Sequence, residues 1–202
     1  MENWIKHPIT LFGQTVNLIP LEKKHFAELE NLSKDKRIWE FYAFDGASSV
    51  KFIHTLTAAL KERENSTEYP FVIFHKRDNK LIGSTRFMDI QPKHKKLEIG
   101  STWLHPDYWG TEINFECKLL LLTYCFEALQ TIRVQLKTDE NNIRSRKAIQ
   151  KIGGQFEGVF RNDMIRDNNT KRNSAYFSII DEEWEDNKLK LTELYETKTL
   201  IK

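Results

Sequence analysis

The sequence predicts an α+β fold in one domain, a mixed sheet of about six or seven strands with about four helices. Three observations carry that expectation. The apolar run YPFVIFH (Tyr69–His75) opens three strand-like segments in succession, the pattern of an antiparallel meander. A long apolar helix, about 114–130, sits between the third of these and the alternating TIRVQLKTD, and strand, helix and strand in that order make a right-handed parallel crossover. The chain has 202 residues, 40% hydrophobic and 30% charged, enough to bury a core and too apolar for gross disorder.

The elements follow in order. Residues 16–21 (VNLIPL) read as a first strand ending at Pro20. Residues 23–32 form a short amphipathic helix, with Phe26, Leu29 and Leu32 at helical spacing. A second helix spans 48–64, entered through SSV, with Phe52, Ile53, Leu56, Ala59 and Leu60 on one side. The meander comprises 69–75, the turn RDNK, 81–89, the polar loop QPKHKK and 97–104. In the crossover's second strand Ile132, Val134 and Leu136 share a face. A helix over 142–152 is stopped by Gly153-Gly154, and two last strands, 155–160 and 172–180, flank a turn containing RDNN. The domain is expected over 1–182; the charged tail 183–202 is expected to be partly helical, docking by Trp184, Leu189 and Leu191.

Composition narrows the functions. A net charge of +2 gives no general drive toward nucleic acid or membrane. No apolar run approaches the roughly 20 residues that span a bilayer. The start, MENWIKHPITLFG, has none of the features of a secretory leader. Cys117 and Cys125 lie more than two turns apart on one helix, too far for a disulfide, and read as small buried hydrophobes. The six histidines are scattered without metal-ligand spacing, so no metal site is expected. A cytoplasmic protein is the expectation.

The chemistry-bearing feature is the entry to the apolar helix, W-G-T-E-I-N at 109–114. First-turn amides have no partner within a helix, and the dipole places partial positive charge there. A glycine loop leading into such an end lets backbone approach a phosphate closely. A plain turn capped by Asn114 is the competing reading of the same residues.

Downstream, TDENNIRSRKAIQKIGG pairs Asn142 with Ser145 at the start of a short basic helix. With LEIGSTWLHPDYWGT before the apolar helix, these segments resemble the GCN5-related N-acetyltransferase (GNAT) superfamily, and within it the RimJ/RimL-type enzymes that acetylate amino groups. The likeness begins at LFGQTVNLIPLEKKHFAEL and runs through EGVFRNDMIRDNNTKRNSAYFSIIDEEW. It implies a single-domain GNAT-like fold and an acetyl-CoA site, with the pantetheine arm lying between the crossover strands near Trp103 and Leu104. The pyrophosphate would rest on Trp109, Gly110, Thr111, Glu112, Ile113 and Asn114. Asn142 and Ser145 match the pair that reaches the pantetheine or thioester, and Arg144, Arg146 and Lys147 would meet the nucleotide phosphates.

Against the family pattern, roughly Q/R-x-x-G-x-G/A, Asp107 replaces the leading Gln/Arg and Glu112 the second glycine. A carboxylate about 5 Å from a phosphate charge would cost roughly 1–3 kcal/mol, depending on how far the side chain faces solvent. Glu98 is the candidate general base, expected to share a strand face with Gly100 and Thr102. Tyr124 is the candidate acid for the departing thiolate, with Ser145 in reserve. The implied reaction is direct acetyl transfer from acetyl-CoA to a primary amine, a protein N-terminus or a small amine, in a ternary complex. The alternative is a noncatalytic acyl-CoA-binding or interaction protein with a degenerate pyrophosphate loop. No nucleic-acid or membrane partner is expected, and the edge of the last strands admits a homodimer. Arg86, Asp89, Arg161 and Tyr176 come from strands near the expected acceptor cleft.

Overall fold

The computed structural model describes residues 4–200. The first three residues of the segment read against a leader, and the last two of the tail, lie outside them. Eight strands form one sheet: β1 (Leu11–Phe12), β2 (Val16–Pro20), β3 (Tyr69–His75), β4 (Lys80–Gln91), β5 (Lys96–Leu104), β6 (Arg133–Asp139), β7 (Gln155–Ile165) and β8 (Lys171–Ile180), in the order β1-β2-β3-β4-β5-β6-β8-β7. Five α-helices accompany them: α1 (Phe26–Leu32), α2 (Ser49–Glu64), α3 (Ile113–Thr123), α4 (Ile143–Lys151) and α5 (Trp184–Leu200). The strand beyond the expected range is the two-residue β1, too short to carry an alternation. No helix among the described residues is long and apolar enough to cross a membrane.

The sheet is buried on both faces at its centre, which is why β3 is apolar without alternation. One face packs Leu18, Phe71, Ile73, Phe87 and Leu97 with residues of α3 and α5. The other packs Val72, Leu81 and Trp103 with Leu29 of α1 and Phe52 and Leu56 of α2. Of the crossover residues, Val134 and Leu136 are buried, whereas Ile132 precedes β6 and is exposed. The tail is helical from Trp184 and docks by Trp184, Leu191 and Tyr195, with Leu189 facing solvent instead.

The long apolar helix is two pieces. After α3 the backbone widens into a π-turn over Tyr124–Ala128. The charges inside it have separate employments. Glu116 is buried and accepts the amides of Gln14, Thr15 and Val16, at 3.0 Å and 2.7 Å for the last two. It thereby pins the turn between β1 and β2 onto α3. Thr15 also meets the Tyr195 hydroxyl of α5 at 3.0 Å, so three distant segments share one junction.

Two irregularities place the site. All strand pairs are antiparallel except β5–β6, which is parallel and pairs only over Lys96, Leu97 and Glu98 with Arg133, Val134 and Gln135. Past Glu98 the two strands separate. Within β5 the register against β4 shifts between Trp103 and Gly100, and Ser101 takes φ +50°, the left-handed geometry of a bulge.

Candidate active site

The gap between β5 and β6 opens into a cavity of about 490 Å³. Its wall combines both strands with α3, α4, the loop before α3 and the aromatic segment between α1 and α2. Of the expected site residues, Glu98, Trp103, Leu104, Trp109, Gly110, Asn114, Asn142 and Ser145 line this cavity.

At one end lies the glycine loop. Gly110 adopts φ +74°, a conformation L side chains rarely take, and nothing lies within 4 Å of where its Cβ would stand. That is an open cradle of the kind a phosphate on backbone amides requires. Trp109 donates its indole N–H to the Leu104 carbonyl at 2.9 Å, and the Arg144 guanidinium stacks 3.9 Å above its ring. This cation–π contact carries a positive charge from α4 to the loop. Asn142 caps α4, accepting the Ser145 amide at 3.0 Å, so one function of the Asn–Ser pair is to begin the helix.

Other residues expected at the site stand outside the cavity's lining. Arg146 and Lys147 do not line the cavity: Arg146 donates to the Glu140 carbonyl at 3.1 Å and lies against Phe156, while Lys147 faces solvent. The side chains of Thr111, Glu112 and Ile113 also point away from the lining, leaving only their backbone near Gly110. Thr111 donates to the Tyr108 carbonyl at 2.7 Å, Ile113 is core, and Glu112 is buried at 3% exposure. Glu112 sits at φ −67°, ψ −19°, ordinary helical backbone, so its replacement of glycine stores no strain. Tyr124 falls in the π-turn, stacks on Phe87 with ring centroids 5.9 Å apart and does not reach the cavity. Burial raises its pKa, which further weakens it as an acid.

Glu98 does lie on the cavity wall, beside Gly100, whose Cβ would stand 2.7 Å from the carboxylate. Thr102 is not on that face. The bulge at Ser101 turns it toward α3, where it meets Thr85 at 2.7 Å and accepts from Lys118 at 2.9 Å. Burial raises the Glu98 pKa, opposed by Lys137 at 3.5 Å and by a 2.8 Å hydrogen bond from Gln135.

Lys118 was not anticipated. It is 6% exposed, lines the cavity, and burial lowers its pKa from 10.5 to about 8. Its signal was in the sequence: a cation interrupting the stretch F-E-C-K-L-L-L-L. Beyond Glu98 the wall holds Tyr42, Arg86, Lys137 and Arg172. Tyr42 donates its hydroxyl to the Thr102 carbonyl at 2.9 Å, and burial pushes its pKa well up. Among the described residues no group of three potential metal ligands comes together.

Comparison with known proteins places this architecture. The sequence profile described as "Acetyltransferase (GNAT) domain" matches residues 15–155. A relative named as an uncharacterized N-acetyltransferase, YoaA of Bacillus subtilis (strain 168), is 32% identical over 148 residues, covering 71% of this chain and 80% of its own. A GCN5-related N-acetyltransferase from Brucella melitensis superposes with a TM-score of 0.84 at 26% identity, over 93% of this chain and 86% of that one. Mycobacterium smegmatis RimJ, solved in complex with CoA-disulfide, shares the fold at a TM-score of 0.74 and 20% identity, over 88% of each chain. The split sheet, the glycine loop and these likenesses agree: the chain belongs to the GNAT acetyltransferase family.

Proposed function

We propose that this protein transfers the acetyl group of acetyl-CoA to a primary amine by direct attack in a ternary complex, using the cavity between β5 and β6. The observation that carries the reading is the parting of these strands just past Glu98 and Gln135, which exposes strand backbone along the cavity. The residues present suit the cofactor. Gly110 and the amides of residues 110–114 would take the pyrophosphate, with Arg144 supplying charge. The pantetheine would run along β5 near Trp103 and Leu104, close to Asn142 and Ser145, with Lys118 behind it.

When bound, acetyl-CoA supplies an activated acyl group on a thiol leaving group. The chain's own work is then to hold the amine, take its proton and exclude water. Glu98 is placed for the proton: it is buried, faces the cavity, and burial lifts its pKa toward the range of a useful base. Ser145 is the hydroxyl left to protonate the thiolate, since Tyr124 lies elsewhere. The feature that favoured a noncatalytic binding module, Glu112, is set behind the cavity wall on unstrained backbone.

Calorimetric titration with acetyl-CoA, followed by thiol release against a panel of amines, tests the reading. Binding with amine-dependent thiol release is expected. Binding without release from any acceptor would establish the noncatalytic module instead. A homodimer is supported by β7, an edge strand exposing Phe156, Phe160 and Ile165. Light scattering should give twice the 24.0 kDa chain mass, and a monomer at high concentration would refute it.

A further inference from the structure

The cavity continues past Glu98 into a region the cofactor loop does not reach, and its charges there are one-sided. Five cations line the whole wall (Arg86, Lys118, Lys137, Arg144 and Arg172) against the single acid Glu98. Arg144 belongs with the glycine loop and Lys118 with α3, while Lys137 is answered by Glu98 on the wall itself at 3.5 Å. Arg86 and Arg172 have their acids, Glu68 and Asp139, outside the lining, so on the wall they present charge without an opposing carboxylate.

These two come from opposite halves of the split sheet, Arg86 from β4 and Arg172 from β8, and both exert their charge on the buried Tyr42 hydroxyl. Arg86 is 7% exposed and spends one nitrogen, Nη1, on Glu68 at 3.1 Å. Arg172 spends Nη1 on the Phe41 carbonyl at 3.3 Å. Its nearest acid, Asp139, is engaged by Arg166, which leaves the Arg172 Nε at 3.7 Å, beyond hydrogen-bonding range. The Nε atoms of both arginines are sealed from solvent with no acceptor among the described residues, whereas neither Nη2 is sealed and neither makes a hydrogen bond. The buried Arg86 and the half-buried Arg172 thus line one cavity with Nη2 donors that an anion there can take.

We propose that the acceptor is an amine that also bears a carboxylate, and that Arg86 and Arg172 receive that carboxylate while the amine lies toward Glu98. The planar guanidinium fork matches carboxylate geometry, and charge-assisted bonds in a dry site discriminate strongly against a neutral analogue. A polyamine or other purely cationic acceptor meets like charge in the same place. The inference rests on the acetyl-transfer reading for the site and adds the class of acceptor.

The test pairs free α- and ω-amino acids with their carboxamides, each assayed for thiol release from acetyl-CoA. At least one acid should exceed its own amide by tenfold or more in kcat/KM. Arg172→Gln should collapse that ratio to threefold or less, and Arg172→Lys should restore part of it. Arg172 is the better site to vary, since Asp139 keeps Arg166, whereas loss of Arg86 strands the half-buried Glu68. Amides equal to or better than acids across a panel that turns over would overturn the proposal, as would a ratio that survives Arg172→Gln in a folded variant. Saturation-transfer NMR of the same pairs with CoA present separates the two levels. Acids that bind while amides do not support the carboxylate site even if no thiol is released. Equal binding of both sinks it, and failure of acetyl-CoA to bind at all counts against the transferase reading.

Discussion

Lys118→Met is expected to stabilise the fold at neutral pH while weakening the cofactor site. Lys118 is buried on the cavity wall with a single hydrogen bond, to Thr102 at 2.9 Å, and burial lowers its pKa from 10.5 to about 8. A cation whose folded-state pKa is depressed favours folding fully only above its unfolded value. Below pH 8 folded and unfolded chains both carry the proton, and the fold bears the whole cost of a buried charge. That cost fades between pH 8 and 10.5 and is gone above. The drop corresponds to about 3 kcal/mol. Methionine of similar length removes it and forfeits one hydrogen bond of about 1 kcal/mol, so the variant should gain about 1–3 kcal/mol at pH 7. Urea unfolding of both proteins at pH 7, 8.5 and 10 measures the difference, which should shrink by most of that 3 kcal/mol as pH rises. A difference independent of pH would show that the lysine is not charged and buried at neutral pH. Acetyl-CoA affinity in the variant should fall about tenfold by calorimetry, and an unchanged affinity would leave the lysine's cost without a purpose.

Glu98→Gln should lower kcat by about 10²–10⁴-fold with acetyl-CoA affinity unchanged. Because burial raises the Glu98 pKa, its contribution to stability is lost as pH rises above 4.5 through the folded value, so the variant should melt no lower than the wild type at pH 7; a large drop in Tm would mark Glu98 as structural. Gly110→Ala forces a Cβ onto a φ of +74°, costing about 1 kcal/mol in denaturant titration, but should weaken acetyl-CoA binding more than tenfold by filling the cradle. Equal small effects on both would remove the loop from the site. Glu116→Ala should destabilise by about 2–5 kcal/mol, read by urea unfolding, because it strips the acceptor from the Gln14, Thr15 and Val16 amides.

Regular periodicity made the scaffold legible. The meander, the crossover and the helix ends show in the apolar pattern because each buries a definite face, and β3 matched its expected span residue for residue. The glycine loop was legible for another reason: Gly110 marks a backbone conformation that other residues avoid. What the sequence hid were side-chain directions near irregular backbone. Alternation from Glu98 assigns Thr102 to the same face, yet the bulge at Ser101 inserts a residue and reverses it. Helical spacing carries Tyr124 on along the apolar helix, yet the π-turn begins there. Arg86 and Arg172 stand 86 positions apart in sequence and line one cavity because β8 returns beside β6.

The bulge is also what makes the two halves of the proposed chemistry compatible. Without it, Glu98, Gly100 and Thr102 would lie on one face, and the Thr102 hydroxyl would compete for the space beside the carboxylate that Gly100 keeps open. Turned instead toward α3, Thr102 anchors Lys118, while its carbonyl accepts from Tyr42 on the acceptor side. One residue thus ties the cofactor wall to the aromatic segment between α1 and α2, and the charges of both arginines bear on Tyr42. A ligand carboxylate held by Arg86 and Arg172 would offset the charge they exert on Tyr42, and through the Tyr42 bond to Thr102 would act on the strand that lies along the cofactor cleft. Occupancy of the acceptor end should therefore be felt at Lys118, and acetyl-CoA should bind more tightly when a carboxylated amine is present. Equal acetyl-CoA affinity with and without such an amine would show that the two ends of the cavity act independently.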